Sequence, residues 1–100
     1  MAEIRWTTTA PTGRVSRMTD HARRFHDLHQ QGSFVLPNAW DAASAAVIAA
    51  AGAVAIATTS SGVSWALGVP DGERLGRDET AAVVARIVRA VDLPVTADVE

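Results

Sequence analysis

Apolar residues follow two patterns along the chain, and each predicts a different kind of element. From Thr19 to about Gln30 they recur with helical spacing, at Ala22, Phe25 and Leu28, between charged positions. This spacing is typical of an amphipathic helix. Elsewhere the apolar residues run without polar interruption, which is typical of strands that are covered on both faces.

Three uninterrupted runs predict three buried strands. They comprise residues 34–36, residues 53–59 and the run that begins the segment 95–100. The first two runs pass into polar residues, and we expect residues 37–40 to form the loop after the first strand.

Two further helices are expected between the strands. Asp41 is suited to cap an alanine-rich helix that Gly52 closes. Asp78 is suited to cap a later helix, whose apolar residues follow helical spacing at Val84, Ile87, Val88 and Val91. Residues 60–76 are predicted to form a long loop, and loops of that length are commonly functional.

The alternation of strands and helices predicts the α/β class, with a parallel βαβαβ segment. Residues 1–17 show no period that could bury a face, and we expect them to form a flexible lead. Residues 18–100 would supply the first three or so units of a (β/α)8 barrel, which takes about 250 residues, and would be truncated after the third strand. Because three parallel strands leave two unpaired edges, such a segment is expected to be oligomeric or prone to aggregation.

The composition narrows the range of functions. Apolar residues make up 48% of the chain and charged residues 20%, and the formal net charge is -2, which is typical of a globular protein and poorly suited to nucleic acid. Cysteine is absent, so a metal in this chain would need oxygen or imidazole ligands. The longest apolar stretch, residues 45–57, is too short to cross a bilayer. We therefore expect a cytoplasmic protein without membrane or nucleic-acid partners.

Polar residues cluster after each predicted strand. In parallel α/β folds the ligand binds at the carboxyl ends of the strands, because those ends and the loops that follow them share one side. This rule selects the following candidates after the three strands: Asn38, Trp40 and Asp41; Thr58, Thr59, Ser60, Ser61, Gly62 and Asp71; Asp98 and Glu100.

Asp98 and Glu100 are two residues apart on the third strand, so their side chains leave the same face about 6.6 Å apart. Two carboxylates aimed into one cavity repel each other unless a cation or a proton lies between them. Mg²⁺ would relieve this repulsion, because it prefers oxygen ligands and keeps several waters. The spacing alone also allows two solvated acids at the end of a strand.

Other candidates have simple structural interpretations beside the functional ones. Ser61 and Gly62 follow a buried strand, where glycine lets backbone N–H groups approach an anion, but an ordinary turn has the same sequence. Asp71 is most simply a turn residue, and Asp41 most simply a helix cap. The three histidines lie at no predicted strand end and are expected to be solvated; they are His21, His26 and His29.

Four segments of the chain carry a wider resemblance when they are taken together. They are Phe34-Val-Leu-Pro-Asn-Ala-Trp-Asp-Ala-Ala-Ser, Ala57-Thr-Thr-Ser-Ser-Gly-Val, Leu67-Gly-Val-Pro-Asp-Gly-Glu and Leu93-Pro-Val-Thr-Ala-Asp-Val-Glu. In this order and spacing they resemble the isocitrate lyase/phosphoenolpyruvate mutase family, over residues 20–100. The resemblance implies a (β/α)8 barrel, a Mg²⁺ ion that Mn²⁺ could replace, and substrates that are 2-oxo acids or their relatives.

The resemblance also implies roles for particular residues. Ser61 and Gly62 match the segment that holds the substrate carboxylate. Asp98 matches the aspartate that binds the metal directly, and Glu100 the second acid, which acts through water. Asp71 matches an acid near the metal and the gating loop, which makes it the candidate catalytic residue.

Three functions follow as hypotheses. The first is a Mg²⁺-dependent lyase that cleaves a carbon–carbon bond in a small 2-oxo or 2-hydroxy carboxylic acid through an enolate-like intermediate. The second is a phosphoenolpyruvate or phosphonopyruvate mutase or hydrolase, although mutases resembling this chain have Trp at the position of Thr59 and Asp at that of Glu100. The third is an inert fragment that acts only in assembly. The expected partners are a small anionic carboxylate and further copies of the chain.

Overall fold

The computed structural model describes residues 19–72 and 74–99. The lead expected over residues 1–17 and the candidate ligand Glu100 lie outside the described residues. The described parts contain, in order, α1 (Asp20–Leu28), β1 (Asn38–Ala39), α2 (Ala42–Ala50), β2 (Ile56–Thr58), α3 (Ser60–Ala66), α4 (Arg77–Ala90) and β3 (Val95–Thr96). Within those ranges, no helix has the length and apolarity that crossing a membrane requires.

The three strands form one parallel sheet with β2 in the centre. Asn38 is in register with Ala57, and Ala57 with Thr96, so these three residues form a row across the sheet. All three residues of β2 are buried, which fits a strand paired along both edges. The prediction of an α/β fold with a parallel βαβαβ segment is therefore confirmed.

The first strand lies later in the sequence than predicted. Residues 34–36 precede the sheet, and β1 forms in the segment expected to be a loop. The hydrogen bonds to β2 determine this position, since the Ala57 N–H donates to the carbonyl of Pro37 at 2.9 Å, next to the start of β1. Within the apolar run, Phe34 serves side-chain packing instead, because its ring contacts two rings of the α1 region edge-on, whereas Val35 is exposed.

Asp41 caps α2, as the sequence predicts. Its carboxylate accepts the N–H of Ser44 at 2.7 Å, and the Ser44 Oγ accepts the N–H of Asp41 at 3.1 Å. These reciprocal bonds form a capping box. The helix is closed before Gly52, whose φ of 103° favours glycine. Side chains within the turn itself thus hold the connection from β1 into α2.

The start of α4 differs from the prediction. Gly76 is the N-cap, and Asp78 lies within the first turn of the helix. The side chain of Asp78 therefore does not cap the helix. A negative charge in the first turn still interacts favourably with the helix dipole, so Asp78 supports the helix start in another way.

The core lies between the sheet and the helices α2 and α4, which contact each other. Of the four positions predicted for the buried face of α4, Ile87 and Val91 are buried, whereas Val84 is half-buried and Val88 is 45% exposed. Helix α4 packs against alanine-rich α2, and its buried residues are Val83, Ile87 and Ala90. The buried core residues are Ala39, Ala45, Ile56, Val63, Val83, Ile87, Ala90 and Val91.

Helix α1 lies on the outside, as predicted, and none of its residues is buried. His21 Nε2 lies 2.8 Å from a carboxylate oxygen of Asp92, which links α1 to the connection before β3. The rings of Phe25, His29 and Phe34 pack edge-to-face, with centroids 4.7 to 6.2 Å apart. These contacts attach α1 to the rest of the molecule.

Helix α3 occupies the first part of the segment predicted to be a loop over residues 60–76. Thr59 is its N-cap, and Thr59 Oγ1 accepts the N–H of Gly62 at 3.3 Å. Val63 is buried in the core. The cap and this burial together offset the low helix propensity of serine and glycine. The loop prediction is therefore wrong for α3, and the connection to α4 is correspondingly shorter.

Candidate active site at the strand ends

The carboxyl ends of the three strands lie along one edge of the sheet, as parallel pairing requires. Two residues beyond the paired row described above come Trp40, Thr59 and Asp98. The register brings these positions to the same end of the sheet, just past the last paired residues. Ala39, which precedes Trp40, is buried in the core, whereas Asp98 lines a cavity on the helix side of the sheet. We call these three residues and the first turn of α3 the strand-end rim.

Asp98 is held at the rim through its backbone. Its N–H donates to Thr58 Oγ1 at 2.9 Å, and Thr58 is 2% exposed. The bond lies beyond Ala57 and Thr96, the last residues that pair between β2 and β3, at the point where the chain turns into α3. The third strand therefore ends earlier than the predicted segment 95–100. Asp98 itself is exposed, which leaves its carboxylate accessible to a ligand.

Ser61 lies in the first turn of α3 rather than in a loop. Its Oγ is 3.3 Å from Thr59 Oγ1, which also accepts the N–H of Gly62 at 3.3 Å. The Gly62 N–H was expected to face an anion, but in this structure it already has an acceptor. The half-buried Ser61 hydroxyl remains at the rim beside Thr59.

Gly62 occupies a position where a side chain does not fit. A Cβ built on it would lie 2.6 Å from Thr59 Cγ2 and 3.1 Å from Trp40 Cβ. The φ of Gly62 is not positive, so close approach, and not backbone conformation, requires glycine here. The contact brings the turn after β1 against the start of α3.

The structure thus brings Ser61, Gly62 and Asp98 to one edge of the sheet, at the ends of neighbouring strands. Asp71 is exposed and lies in the connection between α3 and α4. Glu100 is outside the described residues. The anion-binding candidates and the metal-binding candidate Asp98 therefore share one rim, while Asp71 belongs to a separate segment of the chain.

The rim offers hydroxyl oxygens and the carboxylate of Asp98 as possible ligands for a Mg²⁺ ion. Among residues 19–72 and 74–99, no three histidine or acidic side chains group closely enough to form a full ligand set. Mg²⁺ is commonly bound through one or two carboxylates, with water and substrate completing its octahedron. A single accessible carboxylate at Asp98 is compatible with that mode of binding.

A cavity of about 570 Å³ lies next to the rim, on the helix side of the sheet. Its lining is mainly apolar and comes from α3, α4 and the residues that follow β3. Thr58, Ser64, Arg77 and Asp98 are among its polar members, whereas Ser61 and Trp40 do not line it. The cavity therefore adjoins the rim without containing its anion-binding candidates.

Two residues contribute to the rim in ways that sequence reasoning missed. Thr58 positions the backbone of Asp98, and Trp40 packs against Gly62. In the sequence, both residues could be recognised only by their position at the end of an apolar strand. This position selects them as candidates but does not indicate which residue of a neighbouring strand end they contact.

Comparison with known proteins gives an independent assignment of the family. The family model described as phosphoenolpyruvate phosphomutase matches residues 25–100. An uncharacterised protein of Mycobacterium tuberculosis, found in two strains, is 55% identical over 64 residues, which cover 63% of this chain and 25% of that protein.

Two crystal structures from Burkholderia cenocepacia J2315 share the fold. One, provisionally described as a phosphonomutase, is 49% identical with a TM-score of 0.75, and the match covers 80% of this chain and 33% of that one. The other, provisionally described as a lyase/mutase, is 44% identical with a TM-score of 0.74, and the match covers 78% and 28%. The chain thus spans about a quarter to a third of the length of these relatives. Because the match covers most of the chain and the fold agrees, the chain belongs to the isocitrate lyase/phosphoenolpyruvate mutase family and forms a portion of its α/β barrel.

Proposed function

We propose that this chain supplies the metal-binding and carboxylate-binding part of a Mg²⁺-dependent lyase. Its substrate would be a small 2-oxo or 2-hydroxy carboxylic acid, and the reaction would break a carbon–carbon bond. The observation that carries the proposal is the shared rim: Asp98 is bonded to Thr58, and Ser61 lies beside Thr59, the next residue of the same strand end.

The proposed roles follow from the chemistry of the side chains. Asp98 would hold the ion directly and Glu100 would hold it through water. When bound, the ion would supply Lewis acidity for negative charge that develops on the substrate oxygen. Ser61 holds the substrate carboxylate through its hydroxyl and so orients the bond to be broken, while Gly62, whose N–H is bonded to Thr59 Oγ1, allows the close packing of Trp40 and Thr59 beside it. Asp71 is proposed to act as an acid from the connection that follows α3.

A phosphonate-forming or phosphonate-cleaving mutase is the second candidate. A structure described as a phosphonomutase is 49% identical to this chain, which favours this reaction. Thr59 opposes it, because the mutase pattern of the family has Trp two residues before the serine of its Ser-Gly pair. Here Thr59 caps α3, and a tryptophan would lack the hydroxyl that accepts the Gly62 N–H.

Isothermal titration of the full-length protein with Mg²⁺, in the presence of oxalate, tests the metal site. Oxalate is a planar dianion that resembles an enolate of a 2-oxo acid. Asp98→Ala is expected to weaken Mg²⁺ binding by at least about tenfold, since a direct charged ligand is lost. The matched control is Asp78→Ala, an exposed acid in the first turn of α4, which should leave binding unchanged. Equal affinities for all three proteins would contradict the proposal.

The reaction class needs a separate measurement. Incubation with a panel of 2-oxo and 2-hydroxy acids should yield new carbonyl products, detectable as phenylhydrazones. Phosphorus NMR of parallel reactions with phosphonates distinguishes the mutase. A phosphorus–carbon bond that forms or breaks, without carbonyl products from the carboxylic acids, would favour the second candidate over the first.

A further inference from the structure

We propose that Trp40 forms one wall of the substrate site and selects acids whose carbon chain ends in an apolar group. The inference rests on the proposed function, because it concerns the substrate of the same rim. It adds a residue from the turn after β1 to a site otherwise built from the segments that follow β2 and β3.

The position of Trp40 follows from the register of the sheet. Trp40 and Asp98 lie two residues beyond Asn38 and Thr96, which belong to the same row. Neighbouring strands are about 4.8 Å apart, so two spacings separate Asn38 from Thr96, the row that precedes Trp40 and Asp98, by about 10 Å. A small carboxylic acid fits into such a gap, with Thr59 between the two residues.

Trp40 is fixed at this position by its backbone. Its N–H donates to Ser44 Oγ at 3.0 Å, and the same oxygen accepts the N–H of Asp41 at 3.1 Å. On its other side, the Cβ of Trp40 abuts Gly62. A residue anchored from two directions presents its side chain with little loss of entropy on binding.

The surroundings of Trp40 indicate what it would contact. Trp40 is 43% exposed, although it is a large residue in a turn whose backbone is fixed by hydrogen bonds. Its neighbours on the rim, Thr59, Ser61 and Gly62, are small. The indole therefore adds a broad apolar surface to a rim of hydroxyl groups, and small-molecule sites commonly combine such surfaces with a few polar groups.

The chemistry of the indole sets the class of substrate. The face of an aromatic ring carries partial negative charge and repels carboxylates. With the first carboxylate at Ser61 and the metal at Asp98, a part of the carbon chain that extends across Thr59 would meet Trp40, which lies on the far side of that residue. A methyl or methylene group packs well there, whereas a second carboxylate does not.

Fluorescence tests whether Trp40 lies at the site. Oxalate with Mg²⁺ is added to full-length wild type, Trp40→Phe and Trp65→Phe. Trp65 is the matched control, since it is 67% exposed on α3 and is outside the rim. The ligand-induced change in tryptophan emission should be lost in Trp40→Phe and retained in Trp65→Phe. Retention in Trp40→Phe would overturn the inference.

Selectivity tests the role directly. Competition with oxalate gives the affinities of 2-oxobutyrate and 2-oxoglutarate, which differ in the apolar or charged end of the chain. The wild type should prefer 2-oxobutyrate, and Trp40→Ala should reduce this preference by about tenfold because an apolar contact of about 50 Å² is lost. Trp40→Phe should keep most of it, and Trp65→Ala all of it.

The outcomes separate the two proposals. If the wild type binds neither oxalate nor the 2-oxo acids with Mg²⁺, the proposed function fails, and with it this inference. If the wild type binds them and Trp40→Ala shows the same preference, the proposed function stands and the role of Trp40 is refuted. If Trp40→Ala does not fold, the fluorescence of Trp40→Phe still decides.

Discussion

Replacing Gly62 with alanine perturbs the contact that joins the start of α3 to the turn after β1. The new Cβ would lie 2.6 Å from Thr59 Cγ2 and 3.1 Å from Trp40 Cβ. The first distance is shorter than side chains tolerate, so Thr59 must move. Because Thr59 Oγ1 accepts the N–H of Gly62, moving it also weakens the cap of α3.

Two opposing effects determine the magnitude. Alanine in place of glycine inside a helix stabilises it by about 0.8–1 kcal/mol. Overpacking of a close contact typically costs about 1–3 kcal/mol. We therefore expect Gly62→Ala to lower the free energy of unfolding by up to about 2 kcal/mol, so the steric effect outweighs the gain in propensity.

Making the Gly62→Ala substitution in a Thr59→Ser protein tests whether the contact with Thr59 Cγ2 causes the loss of stability. Serine keeps the capping hydroxyl but lacks Cγ2, so the contact at 2.6 Å disappears. In this background Gly62→Ala should be close to neutral, and the double-mutant cycle should give a coupling of about 1 kcal/mol or more. Urea unfolding of the four full-length proteins measures it. A coupling below about 0.5 kcal/mol would refute the proposed contact, because independent sites are additive within that range.

Two further predictions concern the core and the support of Asp98. Ile87 is fully buried, so Ile87→Ala should lower the free energy of unfolding by about 2–5 kcal/mol and Ile87→Val by about 0.5–1.5 kcal/mol; equal, small effects in thermal unfolding would contradict the core described here. Thr58→Val removes the acceptor of the Asp98 N–H and should weaken Mg²⁺ binding in calorimetry, whereas Thr58→Ser, which keeps the hydroxyl, should retain it; wild-type affinity in Thr58→Val would show that this bond does not position Asp98.

The parallel arrangement of the strands was predictable because it depends on the order of the elements along the chain. Buried runs alternating with helical segments allow few other topologies. The cap at Asp41 was also predictable, since its partner Ser44 is local. The position of β1 was not, because the apolar run before Pro37 is used to pack Phe34 against α1, and this contact depends on tertiary structure.

The errors in the helices have similar causes. α3 begins with two serines and a glycine, which have low helix propensity, and it forms because Thr59 caps it and Val63 is buried. The buried face of α4 was misplaced because the small Ala90 carries little weight in a hydrophobic pattern, yet it is only 4% exposed. Local sequence patterns thus predict where an element lies more reliably than they predict which residues it packs against.

The candidate site was predictable to the extent that it follows from the direction of the strands. The rule that ligands bind at carboxyl ends selected Ser61 and Asp98, and both lie at the rim. The support by Thr58 and the contact between Trp40 and Gly62 connect different strand ends. Such contacts depend on the register of the strands and on packing, and neither can be read from a short segment of one sequence.

Anomalous diffraction from crystals of the full-length protein grown with Mn²⁺ and oxalate would locate the ion itself. Mn²⁺ accepts the same oxygen ligands as Mg²⁺. We predict one strong peak within about 2.2 Å of an Asp98 carboxylate oxygen, with the oxalate lying between that peak, Ser61 and the indole of Trp40. A peak bound elsewhere, with Asp98 uncoordinated and the rim empty, would contradict the assignment of the strand-end rim as the active site.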